Sequence, residues 1–160
     1  MKKKFTALTM CILISGAASA QGLVDGAAEA GKAKAIICCA CHGPDGNSVN
    51  PVWPSIAGQH PTYIVNQLRA FKDGTRTEPL MLGQAMLLSD EDMRNLAVSF
   101  SAMTAATKVI ADPSTLDYGE RPYRGGIREH NTPACIACHG HNGRGNPAAC
   151  YPTINGQSAV

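Results

Sequence analysis

The chain has 160 residues, of which 44% are hydrophobic but only 5% aromatic, and it contains 16 glycines and 10 prolines. Such a composition predicts small units with thin cores, which usually need a staple such as a disulfide, a metal or a cofactor. The formal net charge of +2 depends on three lysines near the N-terminus. Without them eleven basic side chains face twelve acidic ones, so there is no basis for nucleic-acid binding.

The first twenty residues have the pattern of a cleavable export signal. Residues 2–4 are lysines, residues 5–14 are mostly apolar, and Ala18-Ser19-Ala20 is a small-x-small cleavage pattern. The apolar stretch is too short to span a membrane, which takes about 20 residues. We therefore expect a periplasmic protein, soluble or at most peripherally associated with the inner membrane. A lipoprotein anchor at Cys11 is the weaker alternative, because the residue before it is not small.

The Ala-rich, proline-free segment from Ala27 to Cys38 predicts a helix that runs into a cysteine motif. The motif, Cys38-Cys39-Ala40-Cys41-His42, contains C-x-x-C-H, the pattern of c-type haem attachment. Two thiols one helical turn apart can each add to a vinyl group of a haem, and the following histidine then ligates the iron. We therefore expect a covalently bound haem c attached to Cys38 and Cys41, with His42 as an iron ligand.

Two more helices are predicted before residue 104. Residues 61–72 carry apolar side chains at helical spacing, begin with a proline and are followed by Asp73-Gly74, which should end the helix. Residues 89–92 have the form of a capping box and open a helix whose apolar face begins at Met93. No convincing strand pattern is present, so we expect an all-α fold.

The sixth ligand of the haem iron is expected to be a methionine, because a methionine closes the iron for electron transfer and raises its potential. The candidates are Met81, Met86, Met93 and Met103. Met93 and Met103 lie on or just after the third helix, where a methionine usually serves packing or lies at the surface. Met81 and Met86 lie in a predicted loop before that helix, and spacing alone does not decide between them.

A second C-x-x-C-H motif, Cys135-Ile136-Ala137-Cys138-His139, predicts a second haem c with the same attachment and ligation. Both motifs lead through glycine-rich turns to a Pro-x-Ile-x-Gly-Gln run, at residues 54–59 and 152–157, which indicates a duplicated domain. The second copy stops where its second helix should begin, so we expect it to be incomplete. The predicted organisation is a signal peptide at 1–20, a first domain at 21–103, a linker at 104–117 and a second domain at 118–160.

Three other uses of the cysteines are weaker. Zinc could be held by two C-x-x-C pairs, a thioredoxin-like redox pair would need a βαβ setting, and plain disulfides would leave the two histidines unexplained. Cys39 and Cys150 have no predicted role. A disulfide between them is conceivable, although nothing in the sequence brings them together.

From Gly26 onward the sequence resembles the two-haem cytochrome c4 family, whose members are built from tandem class I cytochrome c domains. In that family the axial methionine begins the run Met-x-x-x-Ala-x-x-Leu-Ser, which here starts at Met81, so the resemblance selects Met81. It places the matching methionine of the second haem beyond the last residue. It also implies that the carbonyls of Pro54 and Pro152 accept hydrogen bonds from the ring nitrogens of His42 and His139. The matching segments are residues 38–48, 54–59, 71–76, 88–92 and 123–126.

The resemblance implies a non-enzymatic, periplasmic electron carrier of a respiratory chain, with two covalently bound haem c groups. Its partners would be a quinol-oxidising complex upstream and a terminal oxidase downstream. Two alternatives stay open: the cytochrome subunit of a flavocytochrome sulfide dehydrogenase, which is similar in sequence, and a haem peroxidase. A peroxidase would need one iron whose sixth position is open or displaceable.

Overall fold

A computed structural model describes residues 23–108 and 112–158, so the predicted signal peptide at 1–20 lies outside the described residues. Within those two ranges the regular structure is helical, apart from two isolated bridges that pair Ile127 with Thr132 and Asn146 with Tyr151. The predicted all-α fold is confirmed. The helices are α1 (Ala28–Lys34), α2 (Ile36–His42), α3 (Pro61–Asp73), α4 (Pro79–Met86), α5 (Asp90–Ser101), α6 (Leu116–Gly125) and α7 (Ile136–His139).

The helix predicted at the start of the first half is present as two short helices, α1 and α2, which meet at Ala35. α1 lies directly against α5, with Gly31 at the point of closest approach, where a Cβ atom would come within 2.0 Å of the Asn95 carbonyl oxygen. The side-chain oxygen of Asn95 also accepts a 2.7 Å hydrogen bond from the Ala27 N–H. This bond satisfies a donor near the start of α1, which has no side-chain cap of its own.

α3 begins and ends as the sequence predicts, to within one residue, and α5 begins at the predicted capping box. α3 starts at Pro61 and ends before Gly74, whose φ of 81° is left-handed. α5 has the predicted capping box, in which Ser89 and Asp92 bond each other's backbone N–H groups. Its apolar face forms the centre of a buried cluster with α3: Met93, Leu96, Ala97 and Phe100, joined by Ala35, Ile64, Val65 and Leu88.

The segment around Met81, which we predicted as a loop, is helix α4, so that prediction is wrong. The Glu78 carboxylate caps the helix by accepting a bond from the Leu80 N–H, and Pro79 occupies the first turn, where its missing N–H costs nothing. Only Ala85 of this helix is buried. α4 therefore lacks the buried apolar face by which α3 and α5 were predicted.

The internal repeat predicted from the sequence extends to the backbone hydrogen bonds. In the first half the Gly46 carbonyl accepts bonds from the N–H groups of Ile56 and Ala57, at 2.8 and 2.9 Å. In the second half the Gly143 carbonyl accepts the corresponding pair from residues 154 and 155, at 2.8 and 3.1 Å. The loop after each cysteine motif is thus folded in the same way.

The two halves contact each other through the start of α3 and the loop after the second motif. His60 Nε2 donates to the Arg144 carbonyl at 2.7 Å, and the Thr62 hydroxyl donates to the Pro147 carbonyl at 3.0 Å. No helix among residues 23–108 and 112–158 is both long and apolar enough to cross a membrane.

Candidate haem sites

The first candidate site is built on the last turn of α2. Cys38, Cys41 and His42 all lie on this helix, so the two thiols are one turn apart and the histidine follows the second at once. Both cysteines are half-buried and His42 is 9% exposed. Burial, and to a lesser extent the charges of Cys39 and Cys41, raise the pKa of the Cys38 thiol to about 11.

The orientation of the His42 ring is set by one hydrogen bond. Its Nδ1 lies 2.8 Å from the carbonyl oxygen of Pro54, and because a carbonyl can only accept, Nδ1 must carry the proton. Nε2 is then the unprotonated nitrogen, with its lone pair available to a metal ion. A proton held on the outer nitrogen in this way is the usual arrangement for a metal-ligating histidine.

The Pro54 carbonyl is held in place by a short, tightly bonded loop. Gly46 accepts the two backbone bonds that follow Pro54, and the hydroxyl of Ser55 accepts from the Ser48 N–H at 3.2 Å. Ser48 in turn donates from its hydroxyl to the carbonyls of Cys41 and Asn50. The loop is therefore tied back to α2 and fixes the acceptor relative to the histidine.

The second candidate site repeats this arrangement on α7. His139 is the last residue of the helix, Cys138 precedes it, and Cys135 occupies the N-cap position. His139 Nδ1 lies 3.0 Å from the carbonyl oxygen of Pro152, so its ring has the same proton position as His42. The two cysteine–histidine motifs thus share both sequence and hydrogen bonding.

Several apolar side chains of the first half are not buried by the rest of the chain. α4, which carries Met81, packs against α3 and makes no comparable contact with α2. Apolar side chains on three segments remain exposed: Ile37 on α2, Val52 in the loop before Pro54, and Leu80 on α4. A haem, with two thioether attachments and a nitrogen ligand, matches the donors that are present.

Comparison with known proteins agrees with this chemistry. The chain is 40% identical to a cytochrome c4 from Azotobacter vinelandii over 168 residues, which covers 99% of this chain and 78% of the relative. It is 39% identical to a cytochrome c4 from Pseudomonas aeruginosa over 160 residues, covering 100% of this chain and 77% of the relative. No family model matches the chain.

A solved structure extends the likeness to the fold. The crystal structure of reduced recombinant cytochrome c4 from Pseudomonas stutzeri matches 81% of this chain and 73% of its own, with 39% identity and a TM-score of 0.77.

The chain belongs to the cytochrome c4 family.

As a cytochrome c4, the protein binds two haem c groups and carries electrons, and it is not an enzyme. The described residues do not show the arrangements that a disulfide or a zinc site would need. None of the six cysteines in the described ranges is paired with another, so no disulfide joins Cys39 to Cys150 here. In the same ranges, no three His, Cys, Asp or Glu side chains lie close enough together to hold a metal ion.

The four candidate methionines of this cytochrome c4 differ in burial. Met93 is 0% exposed and lies in the centre of the core, and Met103 is half-buried against it. Met81 is half-buried and Met86 is 57% exposed, both on α4. Met93 thus has the packing role proposed for it on the sequence.

Sequence reasoning missed the contacts that two polar residues make between the halves. His60 Nε2 bonds the Arg144 carbonyl. Cys150 lies opposite Asn66 of α3, whose side-chain amide donates to its sulfur at 3.5 Å. No pattern in the sequence indicates such contacts. The two residues of each pair are far apart in the chain, and each contact depends on a single hydrogen bond.

Proposed function

We propose that this cytochrome c4 is a periplasmic electron carrier of a respiratory chain, which accepts electrons from a quinol-oxidising complex and donates them to a terminal oxidase. Cys38 and Cys41 attach the first haem, and Cys135 and Cys138 attach the second. His42 and His139 ligate the irons, and Met81 is the sixth ligand of the first. The carrying observation is that each C-x-x-C-H histidine has its Nδ1 proton bonded to a proline carbonyl.

When bound, each haem supplies one iron that cycles between the ferrous and ferric states. The protein's own contribution is to hold that iron still. The Pro54 and Pro152 carbonyls keep each imidazole in one orientation and one protonation state, so neither ring needs to turn or exchange a proton when the iron changes charge. A rigid ligand set of this kind favours electron transfer over substrate chemistry.

The organisation that goes with this function is a signal peptide at 1–20, a first domain at 21–103, a linker at 104–117 and a second domain at 118–160. Removal of the signal takes away three lysines and leaves a slight excess of acidic side chains. The mature protein would then be free in the periplasm or peripherally associated with the inner membrane. N-terminal sequencing of the protein from a periplasmic extract should begin near Gln21.

The test is electron transfer by the purified holoprotein between membrane complexes. Reduced with quinol through a quinol-oxidising complex, the protein should then be reoxidised rapidly by a terminal oxidase, with two haems per chain changing spectrum. Stable co-purification with a flavoprotein, together with reduction by sulfide, would favour the sulfide dehydrogenase alternative instead. A high-spin haem that reacts with peroxide would favour the peroxidase.

A further inference from the structure

Two glutamines, one in each half, cross the interface between the halves in the same way. The side-chain amide of Gln157 donates to the Ser55 carbonyl at 2.8 Å and accepts from the Ser55 N–H at 3.0 Å. The amide of Gln59 donates to the Thr153 carbonyl at 2.9 Å and accepts from the Thr153 N–H at 3.0 Å. Because Gln59 and Gln157 hold the same place in the repeat, as do Ser55 and Thr153, the interface is isologous, like that of a two-fold dimer.

Each glutamine bonds the peptide group that also holds a histidine of the opposite half. The peptide between Pro54 and Ser55 accepts from His42 Nδ1 through its carbonyl and donates to Gln157 through its N–H. Two hydrogen bonds that share one peptide group therefore connect the His42 imidazole in the first half to the Gln157 side chain in the second half.

The same connection runs in the other direction. The peptide between Pro152 and Thr153 accepts from His139 Nδ1 and donates to Gln59. Most of the groups involved are shielded from water, since Ser55 and Gln59 are each 5% exposed and Thr153 is 9% exposed, while Gln157 is half-buried. In such surroundings a hydrogen bond on one side of a peptide polarises it and strengthens the bond on the other side.

We infer that Gln157 and Gln59 are positioning residues that tune the haem of the opposite half through these peptide groups. The inference rests on the proposed ligation of the irons by His42 and His139. An N–H bonded to a glutamine oxygen makes its own carbonyl a better acceptor, and a better acceptor draws the Nδ1 proton away from the ring. The imidazole then donates more charge to the iron, which favours the ferric state and lowers the reduction potential.

A consequence is that the state of each haem and the docking of the two halves influence each other. A coupling between two equilibria has to act in both directions. Since the ferric state gains from the glutamine bond, oxidation of the first haem should tighten the contact of Gln157 with Ser55. The interface therefore affects the reduction potentials of the haems as well as holding the two halves together.

The experiment compares Gln157→Met and Gln59→Met in the full-length holoprotein. Methionine keeps the length and shape of glutamine and removes both hydrogen bonds. A redox titration followed by NMR, with haem-methyl signals assigned to each half, should show Gln157→Met raising the potential of the first haem more than the second. Gln59→Met should do the reverse. In the ferrous protein the Nδ1 proton of the affected histidine should move upfield as its bond weakens.

Gln67→Met is the matched control, because Gln67 lies on α3, bonds the side chain of Arg76, and makes no hydrogen bond to a haem-linked peptide group. It should leave both potentials unchanged. The inference is overturned if each variant shifts mainly the haem of its own half, or shifts both haems equally, because either result means a general loosening. It is also overturned if neither potential moves.

Haem stoichiometry and the low-spin spectrum, measured on the same samples, separate this inference from the proposed function. A wild-type chain without two histidine-ligated haems would contradict the proposed ligation itself. Where a methionine variant does not fold, Gln157→Asn and Gln59→Asn replace it, since asparagine is one methylene too short to make both bonds. Each asparagine variant should likewise raise the potential of the haem in the opposite half more than that of its own half.

Discussion

At the scale of single residues, α4 carries two methionines that are candidates for the proposed sixth ligand, Met81 and Met86, and they differ in accessibility. Met81 is half-buried near the start of the helix, whereas Met86 is 57% exposed at its end. We predict that Met81→Ala leaves the first haem covalently attached but converts it to a high-spin form that binds carbon monoxide. Its reduction potential should fall, because the methionine ligand raises the potential.

Met86→Ala is the matched control for this prediction, since it removes the same atoms five residues further along the same helix. It should retain the methionine-to-iron charge-transfer band, which Met81→Ala should lose. Visible and far-red absorption of the oxidised protein measures both. The opposite pattern would transfer the ligand role to Met86.

Much of the chemistry at this scale could be predicted from sequence, because it depends on residues that are neighbours in the chain. Cys38, Cys41 and His42 are brought together by a single turn of helix, so their spacing alone predicts the site. The role of Met93 in the core also follows from its position on an apolar helix face. The bonds of Gln59 and Gln157 could not be predicted, because each depends on how two distant segments meet.

At the scale of helices, the close packing of α1 on α5 depends on a missing side chain. A Cβ at Gly31 would lie 2.0 Å from the Asn95 carbonyl oxygen and 2.8 Å from the Ser99 Cβ, and both belong to a rigid helix. We predict that Gly31→Ala lowers the free energy of unfolding by about 1–3 kcal/mol or more, because α1 must move away from α5. Urea unfolding of the holoprotein measures the loss.

Gly119→Ala is the control for that substitution. Gly119 lies inside α6, and apart from its chain neighbours and the backbone of its own helix, no atom of the described residues lies within 4 Å of the place that an added methyl group would take. Alanine should therefore be neutral there or raise stability by up to about 1 kcal/mol. Equal losses at the two positions would show that the close approach of α1 to α5 is not what makes Gly31 necessary.

The capping box of α5 predicts a defined dependence on pH. The backbone N–H of Ser89, then its hydroxyl, then Lys34 lower the pKa of the Asp92 carboxyl from 3.8 to about 2. A lowered pKa in the folded state stabilises the fold fully above pH 3.8 and loses that effect as the pH falls to about 2. The stability difference between wild type and Asp92→Asn should therefore shrink across this range.

Glu91→Gln serves as the control, because Glu91 carries the same charge in the same helical turn and is exposed. Its effect on stability should be small at every pH. Urea midpoints of the three proteins, measured between pH 5 and about pH 2, test the prediction. A constant gap between wild type and Asp92→Asn would mean that the carboxylate is not what stabilises the cap.

The helices differ in how far they could be predicted from the sequence. α3 and α5 have apolar faces and strong start signals, and the bounds of α3 and the start of α5 follow from the sequence to within a residue. α4 buries only Ala85 and is capped by Glu78, which is not among the preferred N-cap residues. Its larger apolar side chains are exposed or half-buried, so the usual link between periodicity and burial does not hold there.

At the scale of the whole molecule, the two halves are related by a repeat and joined by a small polar interface. Gln59 and Gln157 contribute four hydrogen bonds to it, all to backbone groups of the opposite half. With a net contribution of about 1 kcal/mol for each bond, they account for about 4 kcal/mol of docking free energy. Docking of that size is enough to make two small units unfold as one.

We therefore predict that the double variant Gln59→Ala/Gln157→Ala unfolds in two separate heat-absorption peaks, whereas the wild-type holoprotein unfolds in one. The variant leaves the N–H groups of Ser55 and Thr153 without their partners, which adds to the loss. The matched control is Gln67→Ala/Gln84→Ala, which removes two glutamines from α3 and α4 that take no part in these four bonds. Scanning calorimetry of the wild type, the double variant and the control measures the number of heat-absorption peaks. If the double variant still unfolds in a single peak, other contacts such as those of His60 and Thr62 hold the halves together.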